Sequence, residues 1–456
     1  MKLVYDVKDK PSFGKTLVFA LQQLLAIMAA TIAVPMIISG SYDSVGDVSM
    51  STAAALFGAG VGTLVYLLFT KFRSPVFLGS SFAFLGSMSA AFAGAASMQA
   101  GYLGLIIGAV LAGLVYVVIA LVVKIAGVGW IDKLMPAVVI GPTVAIIGLS
   151  LSGNAVGDLV KGSVLNAEGV PVANTYIALL CGLVTLAVTM LCSTYGKKMI
   201  KMIPFIIGIV AGYAVAAIFT VIGKAAGVEA LQVINFSAFE NMQWLPDFTF
   251  LEAFKGVKDI SGGYIATLAV AYVPVAFVVF AEHIADHKNI SSIIEKDLLK
   301  EPGLHRTLLG DGVGSMMGAF FGGCPNTTYG ESVGCVAISG NASVVTILTT
   351  AILAIVIAFV APFIAFLSTI PSCVMGGVCI ALYGFIAVSG LKMIQNVDLG
   401  DNRNLFVVSV ILIAGVGGLT LNFGKVTLTQ VACALILGIL TNLILKKRDG
   451  KKSSDK

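Results

Sequence analysis

The sequence predicts an all-α polytopic membrane protein with fourteen transmembrane segments, and three observations carry that prediction. Of 456 residues, 58% are hydrophobic and only 11% are charged, less than half the roughly 25% charged content of a soluble domain. The mean hydropathy is +1.00. The charges are also clumped: residues 74–123 and 332–391 contain no Asp, Glu, Lys or Arg, and each run is long enough for two crossings at about 20 residues apiece. Length alone would allow about three soluble domains; the composition excludes them.

Taken in order, apolar runs between polar punctuation place spans at 16–39, 52–70, 75–95, 101–123, 134–152, 173–193, 202–223, 262–285, 307–323, 325–340, 343–367, 372–391, 404–420 and 427–445. The first run continues past signal-peptide length without a small-residue cleavage site, so it reads as a retained helix. The third, ninth, tenth and thirteenth are weak as full helices. The loops at 224–260 and 286–306 are the longest hydrophilic segments, and neither is long enough for a separate soluble domain. A single integral domain is therefore expected over 1–456.

Lysine and arginine fix the orientation, because cytoplasmic loops carry the excess of both. With the N-terminus inside, the inner segments hold Lys2, Lys8, Lys10, Lys15, Lys71, Arg73, Lys124, Lys133, Lys197, Lys198, Lys201, Lys288, Lys296, Lys300, Arg306, Lys392 and Arg403, and the tail from Lys446 to Lys456 adds six. The outer loops hold Lys161, Lys224, Lys255, Lys258 and Lys425, so the partition of the 28 basic residues is 23 inside to 5 outside. An even number of spans with both termini cytoplasmic follows.

Two short segments in different halves are alike. Gly79-Ser80-Ser81-Phe82-Ala83-Phe84 and Asn326-Thr327-Thr328-Tyr329-Gly330-Glu331 each set two hydroxyl side chains before an aromatic and then a small residue. They lie in spans three and ten. Pro-Ala-Val-Val-Ile-Gly at 136–141 echoes Pro-Ser-Cys-Val-Met-Gly at 371–376, in spans five and twelve. Both echoes are offset by seven spans, and an odd offset reverses orientation, so the halves read as inverted repeats, about 16–223 and about 262–445. Gly, Ser, Thr and Asn are poor residues for a helix interior, and Pro325 cannot continue a preceding helix. Unpaired backbone must be buried in protein or line a cavity, and interrupted segments at matching positions point to a transporter's binding site. The alternative reading of both segments is a small-residue helix-packing face.

Most of the 23 acidic residues fall in loops or at span ends. Glu331, in the broken tenth span, and Glu282, deep in the eighth, do not. Asp286 follows Glu282 by four residues and shares its helical face, although it also fits a span end. A carboxylate within the membrane is costly and faces protein or water, so it is a functional candidate by default. Asp311 is either a further interior acid or a cap near its helix start. Of the three histidines, His287 and His305 read as helix-end and loop residues, while His283 is left open. The seven cysteines (Cys181, Cys192, Cys324, Cys335, Cys373, Cys379 and Cys433) include no CxxC and no zinc-type pairing, so they read as small hydrophobes, with no metal expected. The net charge of +5 is spread over short loops, which argues against a nucleic-acid partner.

At these residues the chain resembles bacterial uracil permeases of the nucleobase–ascorbate transporter family. The resemblance rests on Ala281-Glu282-His283-Ile284, Lys296-Asp297-Leu298-Leu299, Pro302-Gly303-Leu304-His305-Arg306 and Pro325-Asn326-Thr327-Thr328-Tyr329-Gly330-Glu331. It extends over nearly the whole chain, including Gly79 to Phe84 and Gly376-Gly377 through Tyr383-Gly384. It implies fourteen spans as two inverted repeats of seven, with short antiparallel strands in segments three and ten. It also implies a core of segments 1–4 and 8–11 and a gate of segments 5–7 and 12–14. By position, Glu282 and Glu331 would hydrogen-bond a pyrimidine ring, and backbone N–H groups of Phe82 and Gly330 would meet its carbonyls. Phe82 and Tyr329 would border the pocket, with Tyr383 contacting it from the gate side.

The resemblance further implies a proton symporter without a cofactor, coupled through Glu282, Asp286 or Glu331. It implies a bacterial plasma-membrane location and a homodimer formed through the gate domain. Three positions depart from the family pattern: Asp286 and Gln23 stand where relatives often carry His, and Ser332 replaces a common Asn. Other readings remain open: a purine or xanthine symporter of the same family, or an anion exchanger or channel of the same fold. Two interior carboxylates would repel an anion. A membrane enzyme is the weakest reading, since no nucleophile–base or metal constellation is evident.

Overall fold

A computed structural model describes residues 3–42, 45–127, 136–166, 168–197, 199–240, 242–395, 397–423 and 426–445. Lys2, Lys133, Lys198, Lys425 and the basic tail counted above lie outside the described residues, as do the first two residues of the span expected at 134–152. The helices are α1 (Phe13–Ile38), α2 (Thr52–Phe69), α3 (Leu85–Ala93), α4 (Met98–Ala126), α5 (Ala137–Ser150), α6 (Ser152–Leu159), α7 (Thr175–Tyr195) and α8 (Pro204–Ala226). After the hydrophilic 224–260 stretch come α9 (Gly262–Ile294), α10 (Leu304–Gly322), α11 (Gly330–Ser339), α12 (Val344–Ile357), α13 (Ala361–Ser368), α14 (Ser372–Met393), α15 (Asn402–Val416) and α16 (Gln430–Ile444). Among the described residues, eight helices are long and apolar enough to cross a membrane, or nine if α12 and α13, bent by 83°, make one span. This is a multi-pass membrane protein.

Local chemistry sets the helix starts. Ser51, Ser97, Ser261 and Thr429 each accept a backbone N–H at the start of α2, α4, α9 and α16, satisfying a donor that a helix leaves free in its first turn. The echoed prolines Pro136 and Pro371 immediately precede α5 and α14. Helix α9 runs to Ile294, nine residues past the expected end at 285.

Three two-stranded antiparallel ribbons interrupt the helices: β1 (Gly40–Tyr42) with β2 (Gly46–Val48), β3 (Leu78–Ser80) with β4 (Asn326–Thr328), and β5 (Leu421–Phe423) with β6 (Val426–Leu428). The middle ribbon joins the two halves of the chain in the register Leu78 to Thr328, Gly79 to Thr327 and Ser80 to Asn326. Ser81 N–H donates to the Pro325 carbonyl at 2.9 Å and Tyr329 N–H to that of Phe77 at 3.1 Å. These bonds satisfy backbone that would otherwise be orphaned in an apolar interior.

Helix packing falls into two groups. Helix α10 packs on α2 and α4, α9 on α4, and α12 on α1 and α2; α14 packs on α5, α6 and α7, α7 on α8, and α15 on α5 and α16. Glycines and alanines allow the close approaches, the usual means of helix association where lipid supplies little hydrophobic drive.

Candidate substrate site between two helix groups

The site is built on the ends of β3 and β4. Each strand is three residues long and ends where a helical segment begins: the turn Phe82–Phe84 leads into α3, and Gly330 opens α11. The first N–H groups of a helix have no acceptor within it, so the antiparallel pairing brings two sets of oriented donors to one place. Gly79 is required by the pairing itself, because a Cβ there would collide with the ring of Tyr329. The Tyr329 hydroxyl donates to the Ser80 carbonyl at 2.6 Å, locking that ring across the ribbon.

Around these ends lies a cavity of about 390 Å³, within the usual range for small-molecule sites. Ala26, Phe82, Glu282, Asp286, Tyr329, Gly330 and Glu331 line it from one helix group, and Val144, Ile147, Phe205, Leu382, Phe385 and Ser389 from the other. Lys201 and Met393 lie on its wall too. Six of the seven expected residues therefore share one cavity, two-thirds of whose carboxylate set comes from a single face of α9. Tyr383 is different: it is buried behind the wall, its ring edge-on to Phe82 with centroids 5.7 Å apart. It reaches the cavity through Phe82. A larger cavity, about 470 Å³, opens elsewhere beside Met50, Met242, Asp247 and Ile364; it holds none of the expected residues and none of the converging carboxylates.

The acids are held differently. Asp286 accepts from the Thr328 hydroxyl at 2.8 Å, which ties α9 to β4. Glu331 sits in the first turn of α11, where the helix dipole favours a carboxylate. The two other departures from the family pattern touch each other: the Gln23 amide donates to the Ser332 hydroxyl and, at 3.2 Å, to its carbonyl. Phe77 N–H also donates to that hydroxyl at 3.1 Å, so Ser332 fastens α1 to the start of the ribbon.

The histidine expectations need correction. His287 is not a helix-end residue at the membrane edge: α9 continues past it, and it is fully buried. Its Nδ1–H donates to the His283 carbonyl at 2.8 Å, and its Nε2 lies 2.6 Å from the Tyr66 hydroxyl. His283 is also fully buried, with Nδ1 2.7 Å from Oδ2 of Asp311. Asp311 lies seven residues into α10 and is an interior acid rather than a cap. The signal that could have found this cluster is its spacing: His283 and His287 are four apart and stack at 3.9 Å, on a face turned away from that of Glu282.

Residues 14–423 match the permease family. The chain belongs to that family. It is 39% identical over 450 residues to the uracil permease of Bacillus caldolyticus, covering 98% of this chain and 96% of the relative. It is 37% identical to the uracil permease of Bacillus subtilis (strain 168), covering 97% and 95%, and 35% identical to that of Escherichia coli (strain K12), covering 96% and 93%. Among solved structures, the permease resembles the transmembrane domain of the cyanobacterium bicarbonate transporter BicA, with a TM-score of 0.61 at 15% identity over 96% of this chain and all of that one. It also resembles murine Slc26a9, an anion transporter in the inward-facing state, with a TM-score of 0.65 at 13% identity over 96% and 69%. At such identities the likeness concerns the fold alone.

Proposed function

We propose that this permease imports uracil with protons by alternating access. One observation carries the reading: Glu282 and Glu331 meet the N-terminal ends of two helical segments at a single cavity with aromatic walls. Uracil alternates N–H donors with C=O acceptors around a flat ring. Carboxylates accept the former, backbone N–H groups of Phe82 and Gly330 donate to the latter, and Phe82 and Tyr329 flank the ring. The relatives named as uracil permeases favour this substrate over a purine.

A proton on Glu282, Asp286 or Glu331 would neutralise clustered negative charge when substrate binds, and its loss inward would release the substrate. Fourteen segments in two inverted repeats, 16–223 and 262–445, account for the seven-span offset and for β3 and β4 pairing antiparallel. The two packing groups support a core of segments 1–4 and 8–11 moving against a gate of segments 5–7 and 12–14. The cavity between them reaches Lys201, cytoplasmic by charge counting, which suits an inward-open state. A bacterial plasma membrane, cytoplasmic termini and a dimer through the gate complete the proposal.

The test is uptake of labelled uracil into proteoliposomes with and without an inward proton gradient, with thymine, 5-fluorouracil, xanthine and hypoxanthine as competitors. Accumulation that ignores the gradient removes the coupling, and displacement by xanthine rather than thymine moves the substrate to the purines.

A further inference from the structure

Six buried side-chain oxygens have no hydrogen-bond partner among the described residues, and three of them belong to residues that meet away from the large cavity: the Tyr116 hydroxyl of α4, Oδ1 of Asp311 in α10 and Oδ1 of Asn326 in β4. Their residues are at most 4% exposed. An unpaired polar atom in such a place is costly, so the meeting of three of the six at one point calls for a shared partner. Their residues line one small cavity of about 10 Å³, together with Phe84, Ala112, Val279 and the hydroxyl residues Ser315 and Thr327. That volume admits a single water molecule.

The hydrogen bonds around the cavity define what it asks of an occupant. The Asn326 amide nitrogen donates to the Gly58 carbonyl at 3.0 Å, so its oxygen is the atom turned to the cavity and can only accept. Oδ2 of Asp311 is engaged by His283 at 2.7 Å, leaving Oδ1 as a second acceptor. The Tyr116 hydroxyl has a hydrogen to give. Two acceptors and one donor complement one water, which gives two hydrogens and takes one.

Charge argues against a metal ion. The Thr307 hydroxyl donates to the Leu304 carbonyl at 3.0 Å, so the His283 Nε2–H is the donor to Thr307 Oγ1 at 2.9 Å. One proton then lies between His283 Nδ1 and Asp311, and the pair is neutral whichever atom holds it. No net negative charge is left to offset a cation.

We infer that Tyr116, Asp311 and Asn326 form a binding site for one resident water, which joins α4, α10 and β4. Through Asp311 the water extends the bonded set to His283, the residue after Glu282, so the ribbon is held to α9 from a second side besides the Thr328–Asp286 bond. The site does not depend on which substrate enters the larger cavity.

The full-length protein in lipid nanodiscs, imaged at about 2 Å, should show one density peak within hydrogen-bonding distance of all three oxygens, in sodium and in choline salts alike. Tyr116→Phe should lower Tm by about 2 °C. In an Asn326→Leu background, where the water has already lost an acceptor, the same change should cost less than half as much. An empty cavity at that resolution, or equal Tm losses in both backgrounds, overturns the inference. So does a Tm that rises with sodium at constant ionic strength, which would place a cation there. If Asn326→Leu does not fold, the density decides.

Discussion

At the scale of single residues, Glu282 and Glu331 reach one cavity from two distant parts of the chain. Glu282 projects from a continuous helix and Glu331 from the first turn after a strand, so each approaches the cavity from its own side. Hydrogen bonds to charged groups contribute about 1.5–3 kcal/mol, so Glu282→Gln and Glu331→Gln should each weaken uracil binding at least tenfold by calorimetry. Unchanged affinity in both variants would remove them from the site. Asp286 is already engaged by Thr328, and the proposed function gives it a part in the coupling. Asp286→Asn should leave the uracil Kd within a few-fold while lowering accumulation driven by a proton gradient. Both acids were legible as charges inside an apolar run. The partners were not: nothing near Asp286 in sequence announces Thr328, which lies 42 positions away.

At the scale of elements, the β3–β4 ribbon is the part that shapes the candidate site. Each strand is too short to stand alone, and each completes the other's backbone hydrogen bonds in an interior without water. Gly79→Ala would drive a methyl into the Tyr329 ring and should abolish uptake while the protein still reaches the membrane. Gly384→Ala meets nothing within 4 Å and should transport normally, which makes it the control; equal activity in both would contradict the packing of Tyr329 on Gly79. The irregularity of these segments was readable from their Ser, Thr, Asn and Pro content. The length of α9 was misjudged because charged residues after 285 look like a loop. His283 and His287 keep one face of this part of the helix buried by pairing with Asp311 and Tyr66, contacts that hydropathy does not register.

At the scale of the whole molecule, residues of two packing groups line one cavity, and the proposed mechanism has one group shift against the other. Sidedness can be checked separately. In a cysteine-free background, Lys201→Cys should react with an impermeant maleimide only from the cytoplasmic face and Lys161→Cys only from the outside; the reverse pattern would invert the orientation. Composition, charge distribution and segment spacing were enough for a multi-pass membrane protein and for the two interrupted segments, because insertion into lipid depends on local hydropathy. Packing alone decided which residues meet. Ser80 and Tyr329 are bonded across 249 positions, and Tyr116, Asp311 and Asn326 reach one cavity from three separate elements. Such meetings depend on how distant helices fit against one another, and no local pattern encodes that fit.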